Sequence, residues 1–75
     1  MNLKDWTLQD ANRVYAMDEV IVKIRYRKQA NRCKVSLVGD KLYVALIDPL
    51  ESIAKGQAAA FYDAEGLLLG GGIIC

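Results

Sequence analysis

Hydrophobic and polar residues alternate most regularly between residues 19 and 27. Val20, Val22, Ile24 and Tyr26 share one face of this segment, and three of the four positions between and after them are basic. A period of two with β-branched residues is typical of a strand that buries one face. The pattern therefore predicts a strand whose other face is cationic.

Two further alternating segments follow a turn predicted over residues 28–31. Residues 33–38 and residues 41–47 are separated by Gly39 and Asp40, which tolerate the backbone conformations of a two-residue hairpin. Both faces of the 41–47 segment are apolar. We therefore expect that strand to be covered on both sides or to lie near a domain contact.

The C-terminal part of the chain predicts three more short strand segments. Residues 58–62 end in two aromatic residues, and residues 67–69 and 73–74 flank three consecutive glycines. Glycines inside a strand pattern indicate a bulge, a barrel corner or a close approach of another backbone. A phosphate-binding loop is disfavoured, because the lysine with Ser/Thr and the following helix that it requires are missing.

The N-terminal stretch has a weaker pattern. Leu3, Trp6 and Leu8 fit either a strand or a linker, and Asp10 is placed to cap a short helix over residues 13–16. The chain as a whole predicts an all-β domain of about six short strands. A closed barrel is favoured, because closure leaves no exposed strand edge.

Length and composition restrict the chemistry of the chain. Its 75 residues form one small domain and include no histidine, which excludes a Cys/His zinc site and His-dependent acid–base catalysis. We expect no catalytic residue and no metal site. Cys33 lies on an apolar strand face and is expected to be a small core residue. Most acidic residues fall in predicted turns, where a solvated role is expected.

Localisation follows from two further features of the sequence. No apolar run approaches the length of a membrane-spanning helix. The first ten residues are too polar for a secretory signal. We therefore expect a cytoplasmic domain without a membrane partner.

The net charge of +1 conceals a basic cluster in the middle of the chain. Residues 20–41 contain seven of the ten lysine and arginine residues and one acidic residue, Asp40. The candidate RNA-binding residues are Lys23, Arg25, Arg27, Lys28, Arg32 and Lys34. A one-sided cationic face favours phosphate contacts, and a merely solvated sheet face is the alternative.

Six short motifs follow one another along the chain: VKIRYR from Val22, CKV from Cys33, DP at Asp48, GQ at Gly56, FYD from Phe61 and LGGGII from Leu69. In this order they resemble the C-terminal β-barrel domain of the tRNA-specific 2-thiouridylases. That family has also carried the name tRNA 5-methylaminomethyl-2-thiouridylate methyltransferase. The resemblance implies a lead-in segment or linker over residues 1–18 and a barrel over residues 19–75, similar to the second domain of elongation factor Tu.

The same resemblance implies a longer enzyme that transfers sulfur to the wobble uridine of tRNA. Its ATP, magnesium and catalytic cysteines would belong to the N-terminal domain, so no catalytic residue or cofactor is assigned to this chain. The barrel would contact the backbone of the tRNA anticodon arm, and also the N-terminal and central domains of the same polypeptide. Arg25 and Arg27 fall on the RYR positions of the family motif.

The sequence therefore predicts a non-catalytic accessory barrel that contacts tRNA. Two alternatives stay open. The barrel could be a structural buttress between domains, through Trp6, Tyr43 and the two-sided apolar strand. It could also belong to another translation-related protein.

Overall fold

Six antiparallel strands close into a barrel in the computed structural model, which describes residues 1–24, 30–48 and 55–75. The elements are β1 (Asn2–Leu8), α1 (Ala11–Ala16), β2 (Val20–Ile24), β3 (Ala30–Val38), β4 (Lys41–Leu46), β5 (Ala58–Tyr62) and β6 (Leu68–Ile74). Around the barrel the strands follow the order β1-β4-β3-β2-β5-β6. The prediction of an all-β closed barrel of about six strands is confirmed.

Alternating side chains from all six strands fill the barrel. The buried apolar residues are Leu3, Val14, Val20, Val22, Ile24, Cys33, Val35, Leu42, Val44, Ala59, Phe61, Leu69 and Ile74. Strand pairing brings them together across the sheet, as where Val22 of β2 lies opposite Phe61 of β5. Burying each of the larger aliphatic side chains contributes roughly 1.5–3 kcal/mol to folding. The barrel interior is therefore the hydrophobic core of the domain.

The first strand is part of the barrel wall. Leu3 pairs with Leu42 of β4 on one side and with Ile74 of β6 on the other, and its side chain is fully buried. Residues 1–18 were expected as a lead-in segment, but they supply a barrel strand and helix α1. The reason is physical, because β4 and β6 would otherwise be open edges flanking an uncovered core.

One continuous strand, β6, replaces the two short strands expected around the glycines. Gly70 has a φ of 149°, and a Cβ atom at this position would collide with the backbone oxygen of Thr7. A Cβ atom on Gly71 would lie 2.5 Å from the carbonyl oxygen of Ala59. The missing side chains let β1 and β5 approach β6 closely. Of the three interpretations of the glycines, a bulge, a barrel corner or close backbone approach, these distances support close backbone approach.

The hairpin between β3 and β4 has the predicted two-residue turn. Gly39 has a φ of 64°, and Val38 pairs with Lys41 across the turn. β3 begins at Ala30, so the turn expected over residues 28–31 does not include its last two positions, which are strand. Residues 28 and 29 lie outside the described residues, as do residues 25–27 of the strand expected over residues 19–27.

Helix α1 forms without the side-chain cap that the sequence suggests. Asp10 precedes the helix with a φ of 52° and a ψ of 66°, and its side chain makes no capping hydrogen bond. The helix instead depends on tertiary contacts, including the buried side chain of Val14.

Candidate nucleic-acid interface

Three of the six predicted RNA-binding residues lie in the described part of the chain. Lys23 is on β2, and Arg32 and Lys34 are on β3. All three alternate with buried residues, so they occupy outward positions, as predicted. The other three, Arg25, Arg27 and Lys28, lie outside the described residues.

Arg32 is held by two carboxylates on the outside of the barrel. Its Nη2 lies 2.9 Å from Oδ1 of Asp48, and its Nε lies 3.1 Å from Oδ2 of the same carboxylate. Its Nη1 lies 3.3 Å from Oε1 of Glu19. The backbone N–H of Arg32 also donates to Oδ2 of Asp48, at 3.0 Å. Arg32 therefore ties the end of β4 to β3.

This contact also sets the protonation of both groups. Hydrogen bonds from Arg32 lower the pKa of Asp48 to about 2. The hydrogen bond to Asp48 and the charge of its carboxylate raise the pKa of Arg32. Asp48 is therefore ionised near neutral pH, and a phosphate group would have to compete with it for the guanidinium.

Lys34 is used to hold helix α1 against the barrel. Its Nζ donates hydrogen bonds to the backbone carbonyls of Tyr15, at 2.6 Å, and Met17, at 2.7 Å. The last carbonyls of a helix lack partners within the helix, and a cation is favourable at that end. Lys34 thus has a structural role as well as a position on the outer face.

Lys23 is exposed and contacts an aromatic ring. Its Nζ lies 5.1 Å from the ring centroid of Tyr62, which is on the neighbouring strand β5. Lys23 pairs with Ala60 across the two strands, and Ile21 pairs with Tyr62. Within the described ranges, the cationic groups of Arg32 and Lys34 are bound by carboxylate or carbonyl oxygens. The Lys23 ammonium is the one predicted cation there that has no such partner.

Sequence reasoning missed the partners of these cations. It treats Glu19 and Asp48 as solvated, whereas both bind Arg32. The register of the β3–β4 hairpin pairs Cys33 with Leu46, and its extension along β4 would place Asp48 opposite Asn31. Asp48 reaches Arg32 because the N–H groups of Ile47 and Asp48 both donate to the Arg32 carbonyl oxygen, at 2.9 and 3.4 Å, an irregularity that the alternation does not show. A usable signal was present for Tyr62, because the alternation in β5 points it outward beside β2.

Cys33 is a core residue, as predicted. It is fully buried, and burial raises the pKa of its thiol to about 12. Both Cys33 and Cys75 are free thiols. Among the residues that the structure describes, no group of three or more His, Cys, Asp or Glu residues is arranged to hold a metal ion.

The outer face of the β3–β4 hairpin carries exposed apolar residues. Val38, Tyr43 and Ile47 are 60%, 43% and 44% exposed. We call these three residues the hairpin patch. Among the residues that the structure describes, those of the barrel interior cover the inner face of the 41–47 segment, and Tyr43 and Ile47 on its outer face are exposed, so a nearby domain contact stays a prediction. No helix in the described ranges is long and apolar enough to span a membrane.

Comparison with known proteins gives one family match and several similar relatives. A family described as the aminomethyltransferase beta-barrel domain matches residues 1–74. The chain is 57% identical over 75 residues to tRNA-specific 2-thiouridylase MnmA 1 of Bacteroides fragilis, and 55% identical over 75 residues to tRNA-specific 2-thiouridylase MnmA 2 of Phocaeicola vulgatus. These alignments cover 99% of this chain but 20% and 21% of the relatives.

A third relative is more distant. The tRNA-specific 2-thiouridylase MnmA of Sulfurimonas denitrificans is 46% identical over 55 residues, which is 73% of this chain and 16% of the relative. The chain spans about a fifth of the length of the first two relatives. No solved structure matches it.

Proposed function

Because the chain belongs to the family of aminomethyltransferase β-barrel domains, we propose that it is the tRNA-contacting accessory barrel of a tRNA 2-thiouridylase, without a catalytic centre of its own. The observation that carries this proposal is the identity to tRNA-specific 2-thiouridylases across nearly the whole chain. The proposal assigns sulfur transfer to the wobble uridine, with ATP and magnesium, to the remaining part of a longer cytoplasmic protein.

The proposed mechanism is positional. In a closed barrel each strand is hydrogen-bonded on both sides, so outward side chains are held on a rigid wall. The chain has no histidine, and the buried thiol of Cys33 is protonated at neutral pH, which makes it a poor nucleophile. These properties suit a surface that orients a bound RNA relative to a distant reaction site.

Phosphate contacts would supply the affinity. Lys23 and the sequence neighbours Arg25, Arg27 and Lys28 are the principal candidates, because no described carboxylate binds Lys23. Arg32 and Lys34 belong to the same proposed surface, but their cationic groups already have protein partners. A few phosphate contacts without base recognition give dissociation constants on the order of 10⁻⁴ M at physiological salt.

An NMR titration of the isotopically labelled chain with an anticodon stem-loop RNA tests this function. We expect chemical-shift changes that cluster in residues 23–34 at low salt and weaken steeply as the salt concentration rises. The absence of any shift at low salt would rule out tRNA contact by this barrel.

A charge-matched pair of variants makes the test specific. The Arg25→Gln/Arg27→Gln variant should bind more weakly and should flatten the dependence of log K on log salt by about one per residue removed. The control is Lys41→Gln/Lys55→Gln, which removes the same charge at exposed positions outside the candidate set. Equal weakening by both variants would show that net charge, and not this surface, determines binding.

The hairpin patch favours a second candidate, a structural buttress between domains. Asn2 pairs with Tyr43, so a polypeptide that leads into β1 would lie beside this patch. A buttress predicts no RNA binding at low salt. It also predicts that Tyr43→Ser and Ile47→Ser weaken the association of this barrel with the remainder of the longer protein, as measured by calorimetry with the two parts supplied separately.

A further inference from the structure

The outer face of β2 and β5 combines one cation, one aromatic ring and a low surface of small residues. Lys23 lies opposite Ala60, and Ala60 lies opposite Gly71 of β6. Tyr62 lies two residues further along β5, opposite Ile21 of β2 and Leu68 of β6, with its ring 5.1 Å from the Lys23 ammonium. On the side of Ala60 and Gly71, a flat group can approach the sheet beside Lys23 without meeting a bulky side chain.

We propose that Tyr62 and Lys23 form a binding site for an unpaired nucleotide of RNA, whose base stacks on the Tyr62 ring while the Lys23 ammonium contacts its phosphate. This inference rests on the proposed function, which it extends from phosphate contacts on the backbone to one base at a defined position. It places recognition on β2 and β5, beside the cations of the neighbouring strand β3.

The chemistry of the two side chains fits a nucleotide. The aromatic face attracts the Lys23 ammonium, and the same face can stack on any base, because every base has a π surface. Lysine has a flexible stem, so its ammonium can leave the ring for a phosphate oxygen when a base takes its place. Tyr62 is half-buried in the sheet, which holds the ring in position.

The contacts of the neighbouring cations also favour a nucleotide site at Lys23 and Tyr62. Arg32 is bound by Asp48 and Glu19, and Lys34 is bound by backbone carbonyls at the end of α1. Within the described residues, Lys23 is bound to no carboxylate that a phosphate would have to displace. An aromatic ring beside such a cation is an arrangement that single-stranded nucleic acids recognise.

The test measures binding of a short oligouridylate, and of an RNA duplex of equal length, to the 75-residue chain at low salt. Tyr62→Leu should weaken oligouridylate binding by roughly 5- to 100-fold, the range expected for one stacked base. Tyr62→Phe keeps the ring and should bind as the unchanged chain does. Tyr43→Leu is the matched control, because it removes a half-exposed tyrosine from the hairpin patch, and it should leave binding unchanged.

Two further readouts separate stacking from simple charge. Lys23→Met should weaken binding and lower the salt dependence by about one phosphate contact. In the unchanged chain, the ring protons of Tyr62 should shift upfield when oligouridylate is added. This NMR readout needs no variant, so it decides the question even if Tyr62→Leu does not fold.

Several results would overturn the inference. Ring protons that do not move while the RNA binds would exclude stacking on Tyr62 and leave the proposed function intact. Equal binding of the duplex, or of an oligoglutamate peptide, would show that the site responds to charge alone. No binding of oligouridylate or of the anticodon stem-loop at low salt would remove both this inference and the proposed function.

Discussion

At the scale of single residues, the glycines of β6 act through the absence of a side chain. Gly71 faces the backbone of Ala59, which cannot move aside as a flexible side chain could. A Cβ atom on Gly72 would lie 3.0 Å from the Cβ atom of Trp6. β6 can therefore pack this closely against β1 and β5 only because glycine has no side chain at these positions.

Replacing Gly71 by alanine should lower the free energy of unfolding by about 3 kcal/mol, because the new methyl group overlaps with a fixed carbonyl oxygen. The control is Gly66→Ala. Gly66 has open space around its Cβ position but a φ of +87°, so only backbone strain of about 1 kcal/mol is expected there. The free energy of unfolding of both variants is measured by urea denaturation. A Gly71→Ala variant as stable as Gly66→Ala would contradict the close approach of β5 and β6.

The buried thiol of Cys33 makes stability depend on pH in the alkaline range. Its pKa is raised from 9.0 to about 12, so the folded state favours the protonated thiol. This contribution is fully present below pH 9 and is lost as the pH rises from 9 towards 12, at about 1.4 kcal/mol per pH unit. Urea denaturation between pH 8 and pH 11 should therefore show a steeper loss for the unchanged chain than for Cys33→Ala. Parallel pH profiles of the two chains would mean that the Cys33 thiol ionises at the same pH in the folded and the unfolded state.

The sequence predicts the position of a residue correctly where that position depends on the alternation within one strand. The inward position of Cys33 follows from a period of two within β3 alone. The ion pair between Arg32 and Asp48 depends on the register of two strands, and a reading of one strand at a time places Asp48 in a solvated turn. The contact of Lys23 with Tyr62 joins strands that are far apart in sequence, so local alternation could not reveal it.

At the scale of elements, helix α1 is too short to be stable alone. It has six residues and no side-chain cap, and isolated helices of this length are not stable in water. Val14 and the hydrogen bonds from Lys34 attach it to the barrel. A basic strand residue therefore stabilises a neighbouring helix.

Replacing Lys34 by methionine should remove both hydrogen bonds to α1 while keeping most of the apolar stem. We expect a loss of about 1 kcal/mol in the free energy of unfolding, together with faster amide hydrogen exchange in α1. Lys41→Met, at an exposed position on β4, serves as the control and should change stability by less than about 0.5 kcal/mol. Unchanged exchange rates in α1 would show that Lys34 does not hold the helix.

The strands that the sequence predicts best are those with strong alternation or clear turns. β4 and β5 fall at the expected positions, and the hairpin at Gly39 is correct. β6 was expected in two pieces, because a run of glycines interrupts the hydrophobic pattern although the backbone continues through it. The pattern over β1 fits a strand or a linker, because the pairing of this segment depends on partners that no local pattern identifies.

At the scale of the whole molecule, the barrel needs its first strand. Without β1, β4 and β6 would each present an unpaired edge, and the side chain of Leu3 would be missing from the core. The family match also begins at residue 1, and the resemblance to the C-terminal barrel of tRNA-specific 2-thiouridylases is confirmed. The fold and the family were thus predictable from the sequence, whereas the boundary at residue 18 was not.

A chain that starts at residue 9 should therefore lose the cooperative unfolding transition and should associate through its open edges. Circular dichroism during thermal unfolding and size-exclusion chromatography measure these two effects. Adding a synthetic peptide of residues 1–8 should restore the transition, since the missing strand can pair with both neighbours. A truncated chain that still unfolds cooperatively as a monomer would show that β1 is dispensable.

The pairing of Leu3 with Ile74 has a consequence for biosynthesis. A growing polypeptide leaves the ribosome from its N-terminus, and one partner of the first barrel strand is the last strand of the barrel to emerge. The β3–β4 hairpin can form early, but β1 has to wait with one edge unpaired until β6 has emerged. Closure of such a distant contact is slow compared with local pairing, and open edges attract other chains in the meantime. The barrel can therefore close only after β6 has left the ribosome, and until then the unpaired edge of β1 is available to other chains.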